Sequence, residues 1–141
     1  MSVDLEWYDE YSIGIRFIDE EHKGLLSIMR ALRDSVEAND LEEAKLLTET
    51  LIDQSKKHFL HEENYLQHIG FDGLEEHKDY HKELIDQAIE VKKICEGATG
   101  DKNLEACIDS MEKYMIDDVI SGDVAFKSFL EYKGYIGRDL F

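Results

Sequence analysis

Hydrophobic side chains recur at steps of three, four and seven residues over four long stretches, which is the period of amphipathic α-helices. The first predicted helix begins near Ile18 and ends at Asn39-Asp40, where Asp40 can cap the next helix. The other three run from about Leu41 to His68, from Leu74 to Glu96 and from Asn103 to Ser121. Short polar connections and the absence of proline favour an up-down-up-down antiparallel four-helix bundle.

The segments outside these helices differ in pattern. Residues 1–17 show no helical period but carry many aromatic and branched side chains, so we expect an extended N-terminal arm packed on the bundle. Residues 124–141 begin as a short C-terminal helix. The predicted fold is therefore all-α, with residues 1–141 forming a single domain.

Two pairs of candidate metal ligands flank the turn between the second and third helices. His58 and Glu62 are four residues apart, as are His77 and His81, so each pair lies on one helix face, one turn apart. Two imidazoles at this spacing can share one cation, and a carboxylate four residues from an imidazole can reach a second cation. Together the two pairs predict a two-metal site inside a helix bundle.

Three further candidate ligands, His22, Asp118 and Asp123, lie on apolar helix faces or just past a helix end. An isolated seam histidine is more often a satisfied core residue, but several seam carboxylates at one height repel one another unless a cation is present. Mixed imidazole and carboxylate ligands suit iron or manganese, and also zinc. The predicted metal ligands, all expected at one end of the bundle, are His22, His58, Glu62, His77, His81, Asp118 and Asp123.

Composition narrows the classes of partner. A formal net charge of −17 disfavours binding to nucleic acid and to anionic membrane surfaces. No apolar run is long enough to cross a membrane and no secretory signal opens the chain, so we expect a cytoplasmic protein or a module of a longer one.

Cys95 and Cys107 are expected to be buried, reduced thiols that can approach each other far from the metals. His61 and His68 fall off the seam and are expected at the surface.

Four segments carry a resemblance to bacterial hemerythrins: EWYDEYSIGIRFIDEEHKGLL, HFLHEE, HKDYH and DDVISGD. The resemblance implies a hemerythrin-like domain with a non-haem di-iron centre, bridged by an oxo or hydroxo group, that binds O₂ at one iron. It also implies that Glu62 and Asp123 bridge the irons and that His22 and His58 hold the O₂-binding iron. His77 and His81 would hold the other iron, and manganese or zinc could substitute.

The chain departs from that family at the position where a third histidine should join His77 and His81. Asp118 stands there, and no histidine follows His81. A carboxylate adds negative charge and favours ferric over ferrous iron. From the resemblance we expect an O₂-binding protein for sensing, storage or delivery, whereas Asp118 favours oxidation chemistry more than is usual for the family. The alternatives are a di-iron oxidase or peroxidase acting on O₂, H₂O₂ or NO, and an inert metal-storage protein.

Expected partners follow from that function. They are O₂ or a related small ligand such as peroxide, NO or azide, and a signalling protein of which the chain would be a domain or a partner.

Overall fold

The computed structural model describes residues 5–97, 101–115, 122 and 124–133. Their helices are α1 (Arg16–Glu37), α2 (Leu41–His68), α3 (Leu74–Glu96), α4 (Asp101–Met115) and α5 (Val124–Lys133), with a 3₁₀ turn at Asp9–Tyr11. Each of the four long helices packs on the next, and α4 returns to pack on α1. The predicted four-helix bundle is confirmed, including the bounds of α2 and α3. Residues 116–121 of the predicted fourth helix lie outside the described residues.

Local signals in the sequence set the turns between the helices. Asn39 adopts a positive φ of 59°, and Asp40 accepts a hydrogen bond at Oδ1 from the backbone nitrogen of Glu43 at 3.2 Å, as predicted for a cap. At the end of α2, Gly70 has a φ of 74°, a conformation that glycine adopts without a steric penalty. The resulting tight turn brings the end of α2 level with the start of α3.

The N-terminal arm packs on the bundle as predicted. Leu5, Ile13 and Ile15 are buried. Asp19, in the first turn of α1, accepts hydrogen bonds at its two carboxylate oxygens from the Ser12 hydroxyl at 2.6 Å and the Ile13 backbone nitrogen at 2.9 Å. These bonds fix the chain that enters α1 and cover one end of the bundle.

Two clusters of buried apolar side chains form the core. The larger one fills the bundle along α1 to α4, and includes Leu25, Phe59 and Leu84. The smaller one closes the end near the α2–α3 turn, where Ile18 and Leu66 meet Leu130 of α5. His22 on α1, and His77 and His81 on α3, lie between the two clusters, and His58 on α2 lies next to Phe59 at the edge of the larger cluster.

The disulfide between Cys95 and Cys107 corrects the expectation of reduced thiols. These residues are 12 apart in sequence, and their Cα atoms are 4.8 Å apart across the connection from α3 to α4, within the range that a disulfide spans. The seams of the two helices face each other at this end of the bundle, so the buried side chains meet. The predicted approach of the two cysteines is correct, but their predicted redox state is wrong.

The buried face of α2 differs at one position from the face that the helical period predicts. Gln54 follows Leu51 by three residues and precedes His58 by four, which predicts a core position, yet it is exposed. Its neighbour Ser55 is buried instead and accepts a hydrogen bond from the hydroxyl of Tyr114 on α4 at 2.6 Å. This bond joins α4 to α2 inside the core.

None of the helices in the described ranges combines the length and apolarity needed to cross a membrane.

Candidate metal centre

Five of the seven predicted ligands meet inside the bundle. His22 comes from α1, His58 and Glu62 from α2, and His77 and His81 from α3, and all five are at most 6% exposed. The i, i+4 spacing places each pair on the inner face of its helix, as the sequence predicts. Asp118 and Asp123, the other two predicted ligands, lie outside the described residues.

The carboxylate of Glu62 stands between the imidazoles of two helices. Its Oε1 lies 2.7 Å from Nε2 of His77 and 3.0 Å from Nε2 of His81. Its Oε2 lies 3.2 Å from Nε2 of His58. One carboxylate therefore faces α3 with one oxygen and its own helix with the other.

Two groups of three side chains could each hold a metal ion. They are His22, His58 and Glu62, and then Glu62, His77 and His81, and within each group the donor atoms lie within 4.8 Å of one another. Imidazole and carboxylate donors at this separation, fully buried, suit transition metals such as iron, manganese and zinc. Since Glu62 belongs to both groups, two ions held there would be adjacent and share its carboxylate.

Two of the imidazoles lie between carboxylates on both sides. Nδ1 of His58 donates to Oε1 of Glu21 at 2.9 Å, and Nδ1 of His81 donates to Oε2 of Glu63 at 2.6 Å. A neutral imidazole has one proton, so its Nε2 then presents a lone pair to Glu62. A lone pair facing a buried carboxylate needs a cation between them, either a proton or a metal ion. The residues present therefore fit a metal, with Nε2 as the donor atom.

Glu21 and Glu63 were not predicted from the sequence. Each directly follows or precedes a predicted ligand along its helix and so points away from that ligand, which gave no reason to select it. Each instead reaches an imidazole on another helix. A carboxylate on the outer nitrogen of a metal-ligating histidine fixes the orientation and tautomer of the ring.

His61 is a surface residue as predicted, with half of its side chain exposed. It nevertheless contacts the site indirectly, since its Nδ1 lies 2.6 Å from Oε2 of Glu21. Glu21 thus joins a buried ring, His58, to an exposed one. His68, the other predicted surface histidine, is also exposed.

The pKa values in the site are displaced from their ordinary ranges. Burial lowers the pKa of His22 to about 3, with a further contribution from neighbouring His58, so this ring is neutral and can donate a lone pair. Burial raises the pKa of Glu62, but its contacts with His58, His77 and His81 outweigh this effect and hold the pKa well below its usual value. In Glu21, hydrogen bonds from two histidines likewise outweigh burial and lower the pKa.

Aromatic contacts hold the rings from the core side. Phe59 stacks on His81, with ring centroids 4.2 Å apart and an angle of 14° between the planes. The rings of His22 and His58 meet edge to face at 4.5 Å, as do those of His77 and His81 at 4.3 Å. The rings are therefore packed against one another in addition to being hydrogen-bonded.

Comparison with known proteins agrees with this arrangement. Residues 13–118 match the model of a family described as the hemerythrin HHE cation binding domain. A bacteriohemerythrin of Clostridium acetobutylicum is 26% identical over 123 residues, which cover 83% of this chain and 94% of that protein. A myohemerythrin of Theromyzon tessulatum is 26% identical over 87 residues, covering 62% of this chain and 68% of that one.

A bacteriohemerythrin of Pseudomonas paraeruginosa is 27% identical over 88 residues, which cover 62% of this chain. The matched stretch spans only 58% of the Pseudomonas protein's length.

Proposed function

The chain belongs to the hemerythrin family, and from this premise we propose that it holds two iron ions around Glu62 and binds O₂ reversibly. The observation that carries the proposal is the position of Glu62, whose two oxygens face imidazoles of two helices. A single metal ion would leave one of these two groups of donors without a cation. The names of the bacteriohemerythrin and myohemerythrin relatives support the same activity.

The side chains divide into two sets of ligands. We assign His22 and His58 to one iron, and His77 and His81 to the other, with Glu62 between them. Asp118 would complete the second set, and Asp123 would be a second bridging carboxylate, both by resemblance to the family. When bound, the two irons supply the open coordination position and the electrons that O₂ binding requires.

The surrounding protein orients these ligands and keeps water away. Glu21 and Glu63 fix the rings of His58 and His81, so that each Nε2 points inward. Ile18 and Leu25 flank His22 along α1, and both are buried. A dry site would slow the proton-assisted oxidation of ferrous iron. Slow oxidation is a condition for reversible O₂ binding.

A second candidate function is favoured by Asp118. A carboxylate in place of a histidine adds negative charge, which stabilises ferric iron. The protein would then act as a di-iron oxidase or peroxidase on O₂, H₂O₂ or NO. A role in sensing, with a signalling protein as partner, is a further proposal that rests on the family alone.

Metal analysis and visible spectroscopy test the proposal together. Protein expressed with ample iron should contain two iron ions per chain. After anaerobic reduction it should gain a visible absorption band on adding O₂ and lose the band when O₂ is removed. Rapid irreversible oxidation instead would favour the enzyme, and absence of iron would contradict both functions.

A pair of matched variants ties the result to the site. His58→Gln removes a predicted ligand, whereas His68→Gln changes an exposed histidine at the end of the same helix. The first should lose iron and the O₂-dependent band, and the second should keep both. Equal iron content in the two variants would contradict the assigned ligand set.

A further inference from the structure

A cavity of about 320 Å³ opens between α1 and α2, beside the candidate metal centre. Leu25 and His58 line it, and both are only 2% exposed, so they form its floor. Thr50 and Gln54 line it from α2, and both are exposed. The cavity therefore leads from the surface to the outer side of a predicted ligand.

Gly24 on α1 lines the same cavity. Glycine inside a helix costs about 1 kcal/mol of stability relative to alanine. Neither a turn nor close packing explains this glycine, because a Cβ built there would meet no atom of the described residues within 4 Å. The missing side chain leaves space open at the mouth of the cavity.

The exposed position of Gln54 supports the same interpretation. The helical period of α2 favours a core position for this residue, yet the core contact is made by Ser55. Gln54 instead lies on the wall of the cavity. Within the described part of the chain, the side chains of α1 and α2 thus leave the groove between them open at this height, although the helices pack against each other elsewhere.

We propose that this cavity is the entrance through which small ligands reach the metal position at His22 and His58, and that Gly24 keeps it open. The inference rests on the proposed function. His22 lies behind the floor, since its ring is 4.5 Å from that of His58 and it precedes Leu25 by three residues on α1. A small ligand would pass the floor when the Leu25 side chain rotates.

The first test measures how fast azide binds to the oxidised, iron-loaded protein. Gly24→Phe should fill the mouth and slow both association and dissociation about tenfold, leaving the equilibrium affinity unchanged. Thr50→Phe fills the cavity from α2 and should have the same effect, which guards against misfolding of one variant. Ala31→Phe adds the same ring at an exposed position further along α1 and should bind azide at the parent rate.

The second test does not depend on iron. Both native cysteines are joined in a disulfide, so Leu25→Cys would introduce a single free thiol at the floor of the cavity. A small thiol reagent should modify it readily, and about tenfold more slowly when Gly24→Phe is added. Ala31→Phe in the same background should not change the rate.

The outcomes separate the entrance from the function. Equal azide association rates in the parent and Gly24→Phe, or equal thiol modification rates with and without it, would overturn the entrance. Failure of the iron-loaded parent to bind azide would contradict the proposed function. In that case the thiol rates still decide whether this cavity leads to the site.

Discussion

Histidine rings held between two carboxylates dominate the site at the scale of single residues. His58 and His81 each have an outer carboxylate on Nδ1 and Glu62 on Nε2. The outer carboxylate holds the proton on Nδ1, which leaves the lone pair of Nε2 facing inward. Glu21 and Glu63 are therefore positioning residues, which act on a metal only through the rings they hold.

Replacing Glu21 by glutamine should weaken metal retention. Glu21→Gln keeps the shape but loses the charge that fixes the His58 ring, so metal affinity should fall by about 10-fold to 100-fold. Competition with a chelator of known affinity measures the change. Glu20→Gln is the matched control, because Glu20 is exposed and pairs with Lys23 at 3.4 Å. Equal affinities in the two variants would show that Glu21 does not position the ring.

Asp118 sets a second prediction at this scale. Asp118→His should restore the five-histidine set of the family and remove a negative charge, so the oxygenated protein should oxidise more slowly than the parent. Asp118→Ala should instead open a coordination position and speed the reaction with peroxide. Autoxidation rates of the parent and both variants, measured side by side, decide the point. An Asp118→His protein that autoxidises as fast as the parent would refute the role assigned to Asp118.

The helices place these residues at a common height. The tight turn at Gly70 joins the end of α2 to the start of α3, so His58 and Glu62 lie opposite His77 and His81. At the other end of the bundle, the disulfide between Cys95 and Cys107 joins α3 to α4. The two connections thus fix opposite ends of α3, and only one of them borders the site.

Removing the disulfide should destabilise the fold without changing the site. Cross-linking residues 12 apart restricts the unfolded chain, which is worth about 3 kcal/mol in the chain-entropy description. The double variant Cys95→Ala and Cys107→Ala should lose about that much free energy of unfolding in urea, yet retain the parent metal content. The parent under a strong reductant is the control and should approach the variant. An unchanged free energy of unfolding would show that the bridge contributes no stability.

The molecule as a whole is a layered bundle, with a polar layer enclosed by two apolar clusters. The larger cluster ends at Leu25, Phe59 and Leu84, and the smaller begins at Ile18 and Leu66. Burying the lone pairs of four imidazoles and the charge of one carboxylate in such a layer is costly unless cations bind them. Metal binding is therefore expected to contribute to folding as well as to function.

Chelation should lower the stability of the whole protein. A ligand that binds only the folded state at a hundredfold its dissociation constant adds about 3 kcal/mol, so metal removal should lower Tm measurably. Calorimetry with and without a chelator gives the shift. A variant with both His77→Gln and His81→Gln should show a smaller shift with chelator, because only the group formed by His22, His58 and Glu62 remains. Identical melting of the parent with and without chelator would contradict the coupling of metal to folding.

The sequence by itself determined the helices and the residues on their inner faces. Helical period and capping residues are local properties, so the bounds of α2 and α3, the Asp40 cap and the shared faces of His58–Glu62 and His77–His81 followed from spacing alone. The resemblance to hemerythrins added the family, which the match over residues 13–118 confirms.

Only the tertiary structure decided which side chains meet across helices. Glu21 and His58 are 37 residues apart, and their contact depends on the rotation of α1 against α2. The same rotation places Ser55 rather than Gln54 in the core. Helical period alone does not decide which of two adjacent residues at the edge of a buried helix face is inside. The disulfide likewise required two seams to face each other at one height. Helix period fixes a residue's face, whereas packing fixes its neighbour on the next helix.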